Sequence, residues 1–73
     1  MDYSEKVCKK IRFERIRHKF AQAEFAVEIG MSTYHYGEIE RGRVNIKIDT
    51  LYRISRGLNM QPYELLQFDD MKM

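Results

Sequence analysis

The sequence predicts a compact, all-α fold of five short helices around one small core. Three observations predict it. No segment sustains the period-two alternation of a half-buried strand. Apolar residues recur instead at three- and four-residue spacing, as in Val7, Cys8 and Ile11 and again in Leu51, Ile54 and Leu58. Between the periodic stretches stand residues that stop or start helices: Gly30 and Ser32, Gly42, Asn59 and Pro62.

The elements follow in order. The first helix is expected from near Ser4, as its N-cap, to His18, with Val7, Cys8, Ile11 and Arg15 on one face and Ile16 beside it. The second carries Phe25, Ala26 and Ile29 inward and ends at Gly30, where a positive φ is expected. Met31 then points into the core. Ser32 caps the third helix, Thr33 to about Arg41, whose inner residues are Tyr36 and Ile39. Gly42 stops it, and residues 43–47 form a loop. The fourth helix begins near Ile48, buries Ile48, Leu51, Ile54, Ser55 and Leu58, and ends at Asn59. Pro62 opens a short fifth helix with Glu64 in the capping-box position relative to Gln61, and Leu65 and Leu66 close the core.

At 73 residues the chain is near the lower limit for a self-sufficient core, so one domain, 1–73, is expected, with its core over about 4–66 and a tail over 67–73. No sensor domain, small-molecule ligand or cofactor is expected. The 44% hydrophobic and 33% charged content fits a globular chain. The single cysteine, Cys8, excludes an intramolecular disulfide and suits a reducing cytoplasm. With a polar, acidic start no signal peptide is expected, and no apolar run approaches the roughly 18 residues of a membrane span.

The stretch Gln22–Gly42 has the layout of a helix-turn-helix, two short helices joined at Gly30-Met31-Ser32, whose second helix can lie in a DNA major groove. The net charge of +2 is too weak to argue for nucleic acid by itself. Its distribution is more useful. Residues 21–40 hold four glutamates and no Lys or Arg, whereas Lys6, Lys9, Lys10, Arg12, Arg15, Arg17 and Lys19 precede them and Arg41, Arg43, Lys47, Arg53 and Arg56 follow. Cations on either side of a reading unit can hold phosphates; solvated helix faces are the plainer alternative.

From Ile11 to Leu66 the chain resembles the phage repressor and Cro (Xre-type) helix-turn-helix family. The resemblance rests on an ordered set: Ile11-Arg12, Arg15, Gln22, Ala26, Gly30, Met31-Ser32, Ile39-Glu40-Arg41-Gly42, Asp49-Thr50-Leu51, Ile54, Leu58 and Pro62-Tyr63-Glu64-Leu65-Leu66. It implies a lambda-repressor-like domain in which early residues of the third helix read bases. Here those are Ser32, Thr33 and Tyr34, with Glu38 one turn on. It also implies a structural ion pair between Arg15 and Glu40. Departures are Ala21 and Lys47, which stand where relatives often carry a helix-capping hydroxyl, and Tyr36, larger than the usual aliphatic residue.

Glu38 has two readings: acceptance from a cytosine amino group, or an i,i+3 pair with Arg41. His35 could donate to a phosphate when protonated or simply face solvent. Gln22 at a helix start, with Arg43, Asn45 and Lys47 in the loop, are candidate phosphate contacts. Glu24 and Glu28 form a solvated face or an acidic patch for RNA polymerase. His18, His35 and Cys8 have no metal-ligand spacing. Tyr63, Leu66, Phe68 and Met71 are candidate dimer contacts, because an apolar run beyond a full core is awkward on a monomer.

The expected function is a transcriptional regulator, a repressor or also an activator, binding a near-palindromic double-stranded DNA operator as a homodimer. An antitoxin or other protein-interaction module of the same fold is the alternative. An enzyme lacks its parts here: no clustered acid–base pair, no nucleophile beside a base and no glycine-rich phosphate loop.

Overall fold

The computed structural model describes residues 3–69. Met71 lies outside the described residues. Four α-helices, α1 (Tyr3–Arg17), α2 (Gln22–Glu28), α3 (Thr33–Glu40) and α4 (Ile48–Gly57), are followed by a 3-10 helix, Pro62–Leu66. The described residues contain no strand. The expected fifth helix is thus a single tight turn of 3-10 geometry, as suits a five-residue segment after proline. Glu64 reaches back to the Gln61 N–H at 2.8 Å, which satisfies one free donor at its start.

All four α-helices end alike. Each closes with a residue in the left-handed region: Lys19 (φ 63°), Gly30 (71°), Gly42 (74°) and Asn59 (57°). The following N–H then bonds back to a carbonyl five residues earlier, for example Met31 to Ala26 at 2.9 Å and Met60 to Ser55 at 2.9 Å. This is the Schellman arrangement, which caps the last carbonyls of a helix. Its outer residues Phe20, Met31 and Met60 pack on the core and fix the exit direction of α1, α2 and α4. After α3 that place is taken by exposed Arg43.

The core joins Val7, Cys8 and Ile11 of α1 to Phe25, Ala26 and Ile29, to Tyr36 and Ile39, and to Leu51, Ile54, Leu58 and Leu65. The Tyr36 ring meets Phe25 edge-on, centroids 5.3 Å apart. Helix α4 crosses close to α2 at Gly57, where a Cβ would stand 2.5 Å from Ile29 Cγ2. Ser55 is buried with its hydroxyl donating to the Tyr52 carbonyl at 2.7 Å.

Four expectations need correction. Ser4 lies inside α1, so it does not cap it. Ile16 is half exposed. Ile48 is 78% exposed, because the first residue of α4 precedes the stripe that Leu51 and Ile54 bury. Leu66 is also more than half exposed, so Leu65 alone closes that end of the core. A further difference concerns charge. Lys10 and Glu14 are buried on α1, Nζ to Oε2 3.1 Å, and line one cleft with Met60, Glu64 and Gln67. Lys10 therefore does not belong to a basic surface.

Candidate nucleic-acid interface

Helix α3 is fixed from its inner side by one carboxylate. Glu40, with its side chain 3% exposed, accepts from Arg15 twice, Nε to Oε2 at 2.6 Å and Nη2 to Oε1 at 3.0 Å. Gln22 Nε2 donates to Oε1 at 3.1 Å, and the Tyr36 hydroxyl donates to Oε2. The remaining Arg15 Nη1 donates to the Phe20 carbonyl at 2.8 Å. One group thus ties α3 to α1, to the start of α2 and to the turn between them. Burial alone would push the Glu40 carboxyl up; the hydrogen bonds from Arg15 and Tyr36 outweigh it and hold the carboxyl below its ordinary value. Burial and the neighbouring carboxylate push the Tyr36 phenol well above the usual range, so it stays neutral and donating. The tyrosine that departs from the resemblance has a use: its hydroxyl joins this network instead of reaching out to solvent.

The opposite side of α3 is open. Ser32 accepts from the His35 N–H at 3.0 Å and so caps the helix, as its position in the sequence implies. Thr33 and His35 are exposed, and Tyr34 is 74% exposed. Glu38 is held within the chain: Arg41 Nε donates to its Oε2 at 3.1 Å and Arg43 Nη1 lies 3.8 Å away. Arg41, with help from the Tyr34 hydroxyl, holds the Glu38 carboxyl below its ordinary value. Of the two sequence readings, the free chain adopts the pair with Arg41.

The 43–47 loop leaves Arg43, Asn45 and Lys47 exposed beside this face. His35, Asn45 and Lys47 line one cleft of about 300 Å³ between α3, the loop and α4. Gln22 is half-buried, and its amide is directed by Glu40, while the start of α2 leaves backbone N–H groups free as any helix does. Ala21 has no side-chain cap to offer, but Glu24 supplies half of a capping box, accepting from the Ala21 N–H at 2.9 Å. That contact commits Glu24 locally. Lys47 precedes α4 with no side-chain cap bond.

Tyr63 and Leu66 are exposed at 61% and 52%. Phe68 is half-buried against α1, its ring 6.3 Å from that of Tyr3 with the Lys6 ammonium over both. Sequence reasoning missed a second apolar line on α4, Ile48 and Tyr52, four residues apart and both exposed. Treating Ile48 as a core residue hid it. Among the described residues no cluster of three His, Cys, Asp or Glu could hold a metal ion, and no helix is long and apolar enough to cross a membrane.

A small helical unit with one helix anchored from behind and flanked by loop cations is of the class that regulates transcription by binding DNA. The helix-turn-helix family model matches residues 11–65, and the chain belongs to that family, of Xre type; its members are DNA-binding regulators and not enzymes. Control protein C.BamHI of Bacillus amyloliquefaciens is 33% identical over 60 residues, covering 81% of this chain and 74% of that protein. The fold is shared with the hypothetical transcription factor NHTF from Neisseria, at a TM-score of 0.86 and 24% identity over 93% of this chain and 78% of that one. It is shared too with the clp gene regulator ClgR from C. glutamicum, at 0.85 and 21% over 90% and 85%.

Proposed function

We propose that the chain controls transcription by binding a near-palindromic operator in double-stranded DNA as a homodimer, within a single domain. In this reading α2, the Gly30–Ser32 turn and α3 form the helix-turn-helix, and α3 enters the major groove. Ser32, Thr33 and Tyr34 face the bases. Gln22, His35, Arg43, Asn45 and Lys47 hold phosphates. Each half-site contributes few base contacts, and two-fold pairing doubles them, with half-site centres about 10 bp or a multiple apart. The observation that carries the reading is the two-sidedness of α3: Arg15, Gln22 and Tyr36 clamp Glu40 on its inner side, while Thr33 and Tyr34 are exposed on the outer one. The exposed Tyr63, Leu66, Ile48 and Tyr52 are the candidates for the dimer contact.

Selection of bound sequences from a random DNA library at fixed salt tests this. A palindrome is the expected product. Weak, strongly salt-dependent binding with no enriched sequence would sink it. Co-purification with an unrelated small protein that blocks DNA binding would instead favour a protein-interaction module.

A further inference from the structure

The outer face of α3 carries an arrangement that Thr33 and Tyr34 do not use. Residues 33, 37 and 41 are four apart and run up this face beside Tyr34 and Glu38. Arg41 folds back toward the start of α3, as long helical side chains do. Its guanidinium lies over Gly37, where a Cβ would meet Nη2 at 3.1 Å and Nη1 at 3.3 Å. Glycine is otherwise a disfavoured residue inside a helix. Glu38 takes the Arg41 Nε at 3.1 Å, which leaves the terminal nitrogens to donate elsewhere.

We propose that Arg41 reads a guanine in the major groove, and that Gly37 and Glu38 hold its guanidinium in place for that contact. The inference rests on the DNA-binding reading above. A guanidinium edge matches the O6 and N7 acceptors of guanine with two parallel hydrogen bonds. A pre-set orientation lowers the entropy cost of making that match, and the Glu38 bond supplies one. The inference also accounts for an acidic residue on a face directed at DNA. Glu38 is there to position Arg41, and the arginine offsets its repulsion from phosphates. Arg43, 68% exposed on the flank, is placed for a phosphate instead.

The test is competition binding and library selection with the wild-type chain and the Arg41→Ala, Arg41→Lys, Glu38→Ala, Glu38→Gln and Arg43→Ala variants at one salt concentration. Thermal unfolding confirms that each variant folds. The wild-type chain should favour G·C at one position of each half-site by roughly 5- to 150-fold, the discrimination of one bidentate pair. Arg41→Ala should lose that preference and leave other positions unchanged, and Arg41→Lys, which keeps a donor for guanine but not the planar group held by Glu38, should keep only part of it. Glu38→Ala should weaken the preference at that same position, and Glu38→Gln, which keeps an acceptor, should restore part of it. Arg43→Ala should weaken all sequences alike. A uniform loss for Arg41→Ala, with no change in preference at any one position, would overturn the proposal. So would a Glu38→Ala change at a different base position, which would make Glu38 a reader itself. A wild-type chain that enriches no sequence overturns the DNA-reading function and this inference together, whereas enrichment untouched by Arg41→Ala overturns this inference alone.

Discussion

Replacing Glu40 by glutamine is the sharpest test of how the fold holds α3. The change keeps the side-chain volume and removes the charge that Arg15, Gln22 and Tyr36 converge on. Breaking a buried ion pair from one side costs about 3–5 kcal/mol, because the partner remains desolvated. Arg15 is 11% exposed on its side chain and keeps the Phe20 carbonyl as an acceptor, so the low end, about 3 kcal/mol, is expected. A chain of this length has a total stability of about 4–11 kcal/mol. The loss should lower the melting temperature by about 12–24 °C, at about 4–8 °C per kcal/mol for a domain this small. Circular dichroism melting at pH 7 reads it directly. A shift under about 4 °C would refute the argument that Glu40 anchors α3 by a desolvated pair.

The pH dependence supplies an internal control. Arg15 and Tyr36 hold the Glu40 carboxyl below its ordinary 4.5 against the opposing effect of burial. A group with a depressed folded pKa contributes stability above its unfolded value and loses it as pH falls through the folded one. The gap between wild type and Glu40→Gln should therefore be full above about pH 5 and narrow below pH 4.5. A gap that does not change with acidification would point to altered packing instead of charge.

Tyr36→Phe removes the hydroxyl that donates to Glu40 without leaving a cavity, and should cost about 1.5–3 kcal/mol in urea unfolding. The Tyr36 phenol is raised well above its ordinary 10.0, so wild-type stability should fall as pH rises past 10, and this variant should lose that part of the alkaline decline. Lys19→Gly relieves a left-handed residue at the end of α1 and should stabilise by about 1 kcal/mol after the entropy of glycine is subtracted; a destabilised variant would contradict the strain. Gly57→Ala should destabilise by about 1–3 kcal/mol despite a better helix former, because the new Cβ meets Ile29 Cγ2 at 2.5 Å and Phe25 Cε1 at 3.1 Å. A rise in melting temperature there would mean that α2 and α4 do not approach so closely.

Much of the fold was legible because it depends on local rules. Gly30, Gly42 and Asn59 each mark a helix end, and each adopts the left-handed backbone that such ends require. Ser32 caps α3 because a serine before a helix can satisfy a free N–H without tertiary help. The misses are tertiary. Lys19 adopts the same left-handed turn although nothing in its chemistry announces it. Gly57 is small because another helix lies against it, which no periodicity reveals. Ile48 has a core-like side chain at the first position of α4, before the buried stripe begins. Lys10 reads as a surface cation, but it is buried and paired with Glu14. At the candidate site the residue types and the i,i+3 pairing of Glu38 with Arg41 were legible, but the guanidinium lying over Gly37 depends on a side-chain rotamer that spacing does not give.

Charge counting is where the structure alters the argument most. Four glutamates between residues 21 and 40 suggest a unit that DNA would repel. Their placement says otherwise. Glu40 is neutralised by Arg15 behind α3, Glu38 by Arg41 and Arg43 in front, and Glu24 is drawn to the free N–H of Ala21 at the start of α2. Glu28 alone among them has no such partner in the described residues. The basic flank shrinks in the same way, since Lys10 and Arg15 are buried with Glu14 and Glu40. The charge beside α3 is then set by fewer groups than the totals imply: exposed Arg43 and Lys47 of the loop, next to an outer α3 face where Glu38 is matched by Arg41. Such a face adds little to affinity for DNA in general and leaves it to the flanking cations. Under the proposed function its contribution is discrimination, because a base pair that leaves the Arg41 or Glu38 groups unpaired binds less well than one that satisfies them.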